Sequence, residues 1–401
     1  MMGQHTVKDI ACHIQTILDH WTITKNKIVC ITTDNGSDVK AACTILQIRN
    51  LPCYAHTLNL VIKDAIKENK DFDAIVKKCS DIVTFFKRSN KAMKVLNNEQ
   101  VTLGRKVPLK VLKDVETRWN STYIMLDRLI EIGDALTIAL SKSAKAPSIL
   151  MPEEKDVITE ALLVLKPFKD ITEQMSGDKY VTASLIIPMT VEIQMELTRL
   201  RPTLKCSIAQ GLEKSLQSVL SNRLFKYEAR QEPQISTFCD PSLKKLAFLS
   251  TINAKTAQDL TEDEVKRIIH KNKNEIRTTN SGVSEREEPK GIFKYLQERD
   301  KNVTNSNIAA AITIVNDYIK DRLKPENEDP IKFWLSCKDN LQPLAKVFSP
   351  RQKIERVPIA YKSIAYSVDC QHLNCLQDEL HTSNTAYRLI AYSLNCAQVK
   401  N

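Results

Sequence analysis

Glycine is scarce, at 8 of 401 residues. A glycine-rich phosphate cradle is therefore not expected, and neither G-x-x-x-x-G-K-[ST] nor G-x-G-x-x-G occurs. No uninterrupted apolar run is long enough to cross a membrane, so no membrane partner is expected. The opening residues, MMGQHTVKDIACHI, lack the basic-then-apolar order of a secretory signal. The 11 cysteines include no C-x-x-C pair. Reduced thiols in a nuclear or cytosolic protein are the expectation. Cys370, His372 and Cys375 form the one dense cluster, which is read as coincidence rather than a metal site.

What is present is ordinary in bulk. A chain of 401 residues accommodates two or three domains. Its 42% hydrophobic and 26% charged residues suit a globular protein with a large core. The net charge of +10 suits an anionic partner, but also a protein that is merely basic. The bases are mixed with acids, and no basic tail stands out.

The most informative stretch runs from Ile28 to Leu60. Ile28 to Thr33 is an apolar, β-branched run of strand length. Asp34-Asn35-Gly36-Ser37 is a turn signal, and Ser37 is placed to cap a helix over 38–46. An acid at the C-terminal end of a buried strand stands where open α/β sheets carry ligand and catalytic groups. Leu51 to Tyr54 leads into Cys53-Tyr54-Ala55-His56 and a helix through Leu58, Asn59, Leu60 and Val61.

Helical periodicity marks 7–21, 71–96 and 123–140. In the second, Phe72, Ile75, Val76, Cys79, Ile82, Val83 and Phe86 make an apolar core stripe. The bases Lys77, Lys78, Lys87, Arg88, Lys91 and Lys94 lie mostly off it, as on a solvated face. Val107–Val115 has the pattern of a strand. Residues 141–152 read as a loop, followed by helices over 153–175, 181–200, 205–225, 262–279 and 304–323. Polar linkers fall at 280–290 and 324–330.

Three blocks carry a family resemblance. T-D-N-G-S at 33–37, followed by C-x-A-H-T-L-N-L at 53–60, resembles the hAT superfamily of DNA transposases and the BED-zinc-finger host proteins derived from them. Asp114 to Thr122 resembles their D-x-x-T-R-W-N-S-T block. Phe238 to Leu246 resembles L-D-P-R-F-K-x-L of the helical insertion, with Ser242 where Arg is usual. The blocks keep the family's order and rough spacing, from about His5 to Leu344. Asp329 to Ala345 is similar to the opening of the family's C-terminal dimerisation segment. No stretch offers the paired Cys and His of a BED finger.

The resemblance implies an α/β fold: an incomplete RNase H-like catalytic domain interrupted by a large all-α insertion. The implied divisions are 1–140 (partial RNase H-like), 141–325 (helical), 326–358 (partial dimerisation segment) and 359–401 (a divergent tail). The chain is expected to be truncated at both ends, without the D-x-W-T strand that bears the first family carboxylate. The family's chemistry holds two metal ions with three carboxylates. Asp34 matches the second, as a vestigial magnesium ligand, and Glu355 stands for the third but is reached several residues too early for the family's spacing.

No cofactor is therefore expected, beyond magnesium if activity persists. Arg118 and Trp119 are the DNA-contact candidates: the indole stacks on an unpaired base and the guanidinium holds phosphate, or the pair is simply core. Cys53, His56 and Asn59 form the structural motif, packing inside the domain rather than making half a zinc site. The expected function is a domesticated or decayed hAT-like nuclear protein that binds DNA without catalysis. The alternative is an active metal-dependent endonuclease and strand transferase whose missing parts come from elsewhere. The expected partners are DNA and, through 329–347, a second copy or a related hAT-derived protein.

Overall fold

The computed structural model describes residues 6–25, 28–115, 120–176, 182–279, 307–325, 328–337 and 339–348. It is mostly helical, and the two strands found among the described residues are three residues each. The chain divides into two compact units. Among the described residues, one draws on those within 6–51, 182–188 and 227–348, the other on those within 52–176 and 189–226.

In the first unit, α1 (Val7–His20) begins at Thr6. The Thr6 hydroxyl accepts from the Asp9 amide, and the Asp9 carboxylate accepts in return from the Thr6 amide. Ala11, Ile14 and Leu18 of α1 meet Ala42 and Leu46 around α2 (Ser37–Ile45) in one apolar cluster. Strand β1 (Ile31–Thr33) pairs with β2 (Asn50–Pro52). The Asn50 amide reinforces the pairing by donating to the Ile31 carbonyl and the Thr33 hydroxyl, at 3.2 and 2.9 Å. Ser37 does not cap α2. It lies inside the first turn with its hydroxyl on Asp38, and Gly36 is the cap residue.

A second core in this unit gathers α11 (Gln231–Phe238), α12 (Thr251–Thr279) and the helices Asn307–Lys320, Pro330–Leu335 and Gln342–Phe348. The periodicity had placed the start of α12 at 262. Ser250 moves it earlier by accepting from the Asn253 amide.

The second unit holds α3 (Tyr54–Glu68), α4 (Lys70–Arg88), α5 (Asn90–Thr102), α6 (Ser121–Glu131), α7 (Gly133–Ser141), α8 (Pro152–Met175), most of α9 (Ile186–Leu200) and α10 (Ser207–Arg223). All seven residues of the predicted α4 stripe are buried. The single helix expected over 71–96 is two, because Ser89 is extended and its hydroxyl accepts from the Ala92 amide at 3.1 Å. The helix over 123–140 likewise breaks at Ile132. Asn69 closes the α3–α4 corner. Its side chain caps α4 by accepting from Phe72 and donates to the Ile208 carbonyl at 2.9 Å. Gly211 allows that approach, since a Cβ there would lie 3.0 Å from the Asn69 amide nitrogen.

The expected strand over Val107–Val115 does not form. The backbone groups that a strand would pair are met by side chains instead. Gln100, 2% exposed, accepts from the Leu109 amide at 2.8 Å and donates to the Leu109 carbonyl at 3.0 Å. Arg128 donates to the Lys110 carbonyl at 2.9 Å. An apolar, β-branched pattern reports half-burial, and here one glutamine supplies what a neighbouring strand would.

Candidate functional site

Asp34 follows directly on β1 and is exposed. One carboxylate oxygen accepts from the Gly36 amide at 3.2 Å. Asn35 between them is left-handed, at φ 73°. This is a local turn in which the acid holds the backbone entering α2. Asp38 takes the Ser37 hydroxyl on the helix itself. Among the described residues there is no group of three or more His, Cys, Asp or Glu side chains that could hold a metal ion. The described residues therefore do not assemble the donor set that a two-metal clamp needs. Glu355 lies outside the described residues, as does the 370–375 cluster.

The described ends of the second block, 114–115 and 120–122, are bonded to each other. Asp114 accepts from the Ser121 hydroxyl and, at 2.9 Å, from the Thr122 hydroxyl. Ser121 Oγ also accepts from the Val115 amide at 3.1 Å and lies 2.9 Å from the Val115 carbonyl. These bonds bring residue 115 back to the start of α6. Asn120 is left-handed, at φ 58°, and its amide donates to the Lys169 carbonyl on α8. Asp114 thus acts as the clasp of the block. Arg118 and Trp119 lie outside the described residues, between the two clasped ends.

In the third motif, Cys53 is buried immediately before α3, and its carbonyl accepts from the Thr57 amide and hydroxyl at 3.0 and 2.9 Å. His56 is half-buried and Asn59 is 9% exposed. All three sit on the first turns of a helix whose next contacts are core residues such as Leu58 and Val61. Burial pushes the Cys79 and Cys239 thiols up to about 12, so these two are core side chains and poor nucleophiles at neutral pH.

The Phe238–Leu246 block and the Asp329 opening, far apart in the chain, prove to be one structural feature. Trp334, 2% exposed, donates from Nε1 to the Cys239 carbonyl at 2.8 Å. The Tyr318 hydroxyl donates to the Phe238 carbonyl at 3.1 Å. Lys244, buried and left-handed at φ 47°, donates to the Tyr318 and Asp321 carbonyls at 2.6 and 2.7 Å. It thereby satisfies the C-terminal end of helix Asn307–Lys320, and its ammonium also lies 4.4 Å from the centre of the Tyr318 ring. Burial lowers its pKa from the ordinary lysine value. Ser242, the departure from the family pattern, donates to the Pro325 carbonyl at 2.8 Å.

Nothing in the sequence marks Lys244 as buried, because a lysine beside a second lysine reads as surface. Trp334, Leu341 and Leu344, which lie in the segment whose resemblance implies dimerisation, pack into this chain's own core. Leu335 remains 61% exposed.

Asp240 in the same block is 4% exposed and accepts from the Ser242 amide at 3.0 Å. Burial raises its pKa above the ordinary carboxylate value. The folded protein therefore favours the neutral acid, and stability present at low pH is lost as pH rises through the raised value. Asp240→Asn keeps the acceptor and removes the titration. Its melting temperature should gain on that of the wild type as pH rises from 4 to 7. A difference that stays constant across that range would refute the assignment.

Comparison with known proteins agrees with this layout. Residues 51–162 match the family model described as the ZBED1 RNase-like helical domain. That span contains both the Cys53–Asn59 motif and the 114–122 block. Among curated relatives, Zinc finger BED domain-containing protein 6 of Homo sapiens is 23% identical over 336 residues, covering 76% of this chain and 34% of that protein. Zinc finger BED domain-containing protein 4 of Homo sapiens is 21% identical over 326 residues, covering 78% and 26%. The "Putative AC transposase" of Zea mays is 25% identical over 270 residues, covering 61% and 32%. The hAT resemblance holds. The chain spans a quarter to a third of the length of these relatives.

Proposed function

We propose that this hAT-related chain is a transposase-derived nuclear protein, domesticated or decayed, that binds DNA and does not cut it. The observation that carries this is the state of Asp34. The one described match to a family carboxylate holds its own turn through Gly36 and stands in no cluster of metal-capable side chains among the described residues. The strand–turn–helix around it is read as the remnant of an incomplete RNase H-like domain, and residues 51–162 of the helical unit match the family model. Asp114 supports the same reading, since its carboxylate is occupied by Ser121 and Thr122. DNA binding rests on the net positive charge and on Arg118 and Trp119.

The test is direct. Purified chain with magnesium or manganese should bind duplex DNA at low salt, release it as salt rises, and leave it neither nicked nor joined. Metal-dependent cleavage that disappears in Asp34→Ala would establish the opposite reading, an active transferase completed from elsewhere.

A further inference from the structure

The positive charge of this chain is not evenly spread. Residues 82–113 hold eight bases and a single acid, Glu99. Glu99 is already engaged by Lys142 at 2.6 Å. Of the eight bases, Arg105 pairs with Glu131 at 3.1 Å. The other seven are Lys87, Arg88, Lys91, Lys94, Lys106, Lys110 and Lys113. All seven are exposed, and none has an ion-pair partner among the described residues.

They stand on one supersecondary piece. Lys87 and Arg88 end α4, and Lys91 and Lys94 open α5. Lys106, Lys110 and Lys113 lie on the segment that returns from α5. That return is fixed by the two Gln100 bonds to Leu109 and by the Arg105 amide on the Gln100 carbonyl at 2.9 Å. The bases are thus carried on a helix corner and a tied hairpin, all within the second unit.

For stability alone this arrangement is unfavourable. Lys91 occupies the first turn of α5, where a helix favours an acid, and that turn contains none. Lys91 and Lys94 are three apart on one face, so their charges repel. The same lysines would be neutral or better as glutamines. A surface that keeps seven unpaired cations where the fold favours fewer is organised for an external anion.

We infer that the α4–α5 corner and its return segment form the surface that grips the sugar–phosphate backbone of duplex DNA. This rests on the DNA-binding reading above and says where that binding resides. Six lysines and one arginine spaced along this surface suit a line of phosphates, so affinity dominated by phosphate contacts, with little sequence preference, is expected from this face.

The experiment measures fluorescence anisotropy of labelled duplex DNA against the full chain across a salt series. The patch variant is Lys87→Gln, Arg88→Gln, Lys91→Gln and Lys94→Gln together. The control removes the same charge elsewhere, with Lys8→Gln, Lys320→Gln, Lys332→Gln and Lys346→Gln. Each phosphate contact contributes about 0.9 to the slope of log affinity against log salt. The patch variant should therefore lose roughly 2 to 4 of that slope and weaken at least about tenfold, while the control loses less than about 1. Equal slopes for patch and control overturn the assignment of this surface but leave DNA binding standing. A wild-type chain with no salt-dependent binding overturns the reading beneath it as well. Duplex RNA of the same sequence and polyglutamate are titrated in parallel. Tighter binding of either than of DNA, lost in the patch variant, assigns the surface to that partner and overturns DNA. Should the quadruple variant lose its cooperative melt, Lys91→Gln with Lys94→Gln carries the same comparison at half the expected change in slope.

Discussion

Trp334→Ala should unfold much of the first unit. The indole is buried against Tyr318, Phe333 and Phe348, with ring centroids 5.2, 4.9 and 6.1 Å away. Its truncation removes a large buried aromatic, worth about 3–5 kcal/mol in a core that cannot collapse around the gap. It also strands the Cys239 carbonyl, now paired with the indole N–H at 2.8 Å, at a further cost of about 1–3 kcal/mol. Few domains hold enough stability to absorb that sum. Trp334→Phe refills most of the space without the donor and should recover part of the loss. Urea unfolding followed by far-ultraviolet circular dichroism separates the cases. A Trp334→Ala chain within about 1 kcal/mol of wild type would mean that the indole is not the keystone described. The same experiment bears on assembly, because a tryptophan spent on the chain's own core is not available to a second copy.

Much of this was legible beforehand, and the residues show why. The α4 stripe was found residue for residue, because seven apolar side chains at helical spacing have one way to be buried together. Asp34 was found at a strand end because a β-branched run followed by Asn-Gly has a local meaning. Local caps were harder. Ser37 and Ser89 are equally good cap residues by composition, yet one sits inside a helix and the other breaks one. The choice is made by what the neighbouring turns bury. Long-range pairings left no mark at all: the Cys239 carbonyl could not announce that it awaits Trp334, nor the end of helix Asn307–Lys320 that it awaits Lys244. The charge concentration at 82–113 was visible in the sequence but was masked by averaging over the whole chain. Only the ion-pair geometry shows that seven of its eight bases have no ion-pair partner among the described residues.

Gln100→Leu should release the return segment without disturbing α5. The glutamine sits in the last turn of α5, 2% exposed, where leucine is a better helix former and a good apolar filler. A gain in stability would follow if burial were its role. Its amide instead serves as the missing neighbour strand for Leu109, making both of that residue's backbone bonds. Leucine leaves an N–H and a C=O partly buried and unpaired, at about 1–3 kcal/mol each before water reaches them. The segment is half-buried, so opening it to water is the cheaper response, and the net loss should be about 2–3 kcal/mol. The loss should be local. Protease should cut within 105–113 in the variant and spare it in the wild type, and amide exchange should quicken at Leu109 while α4 stays protected. Gln100→Asn, too short to reach both groups, should behave like the leucine variant despite keeping the amide. Gln100→Leu with wild-type proteolysis and exchange would show that packing alone holds the hairpin, and that its lysines are not presented on a clamped surface.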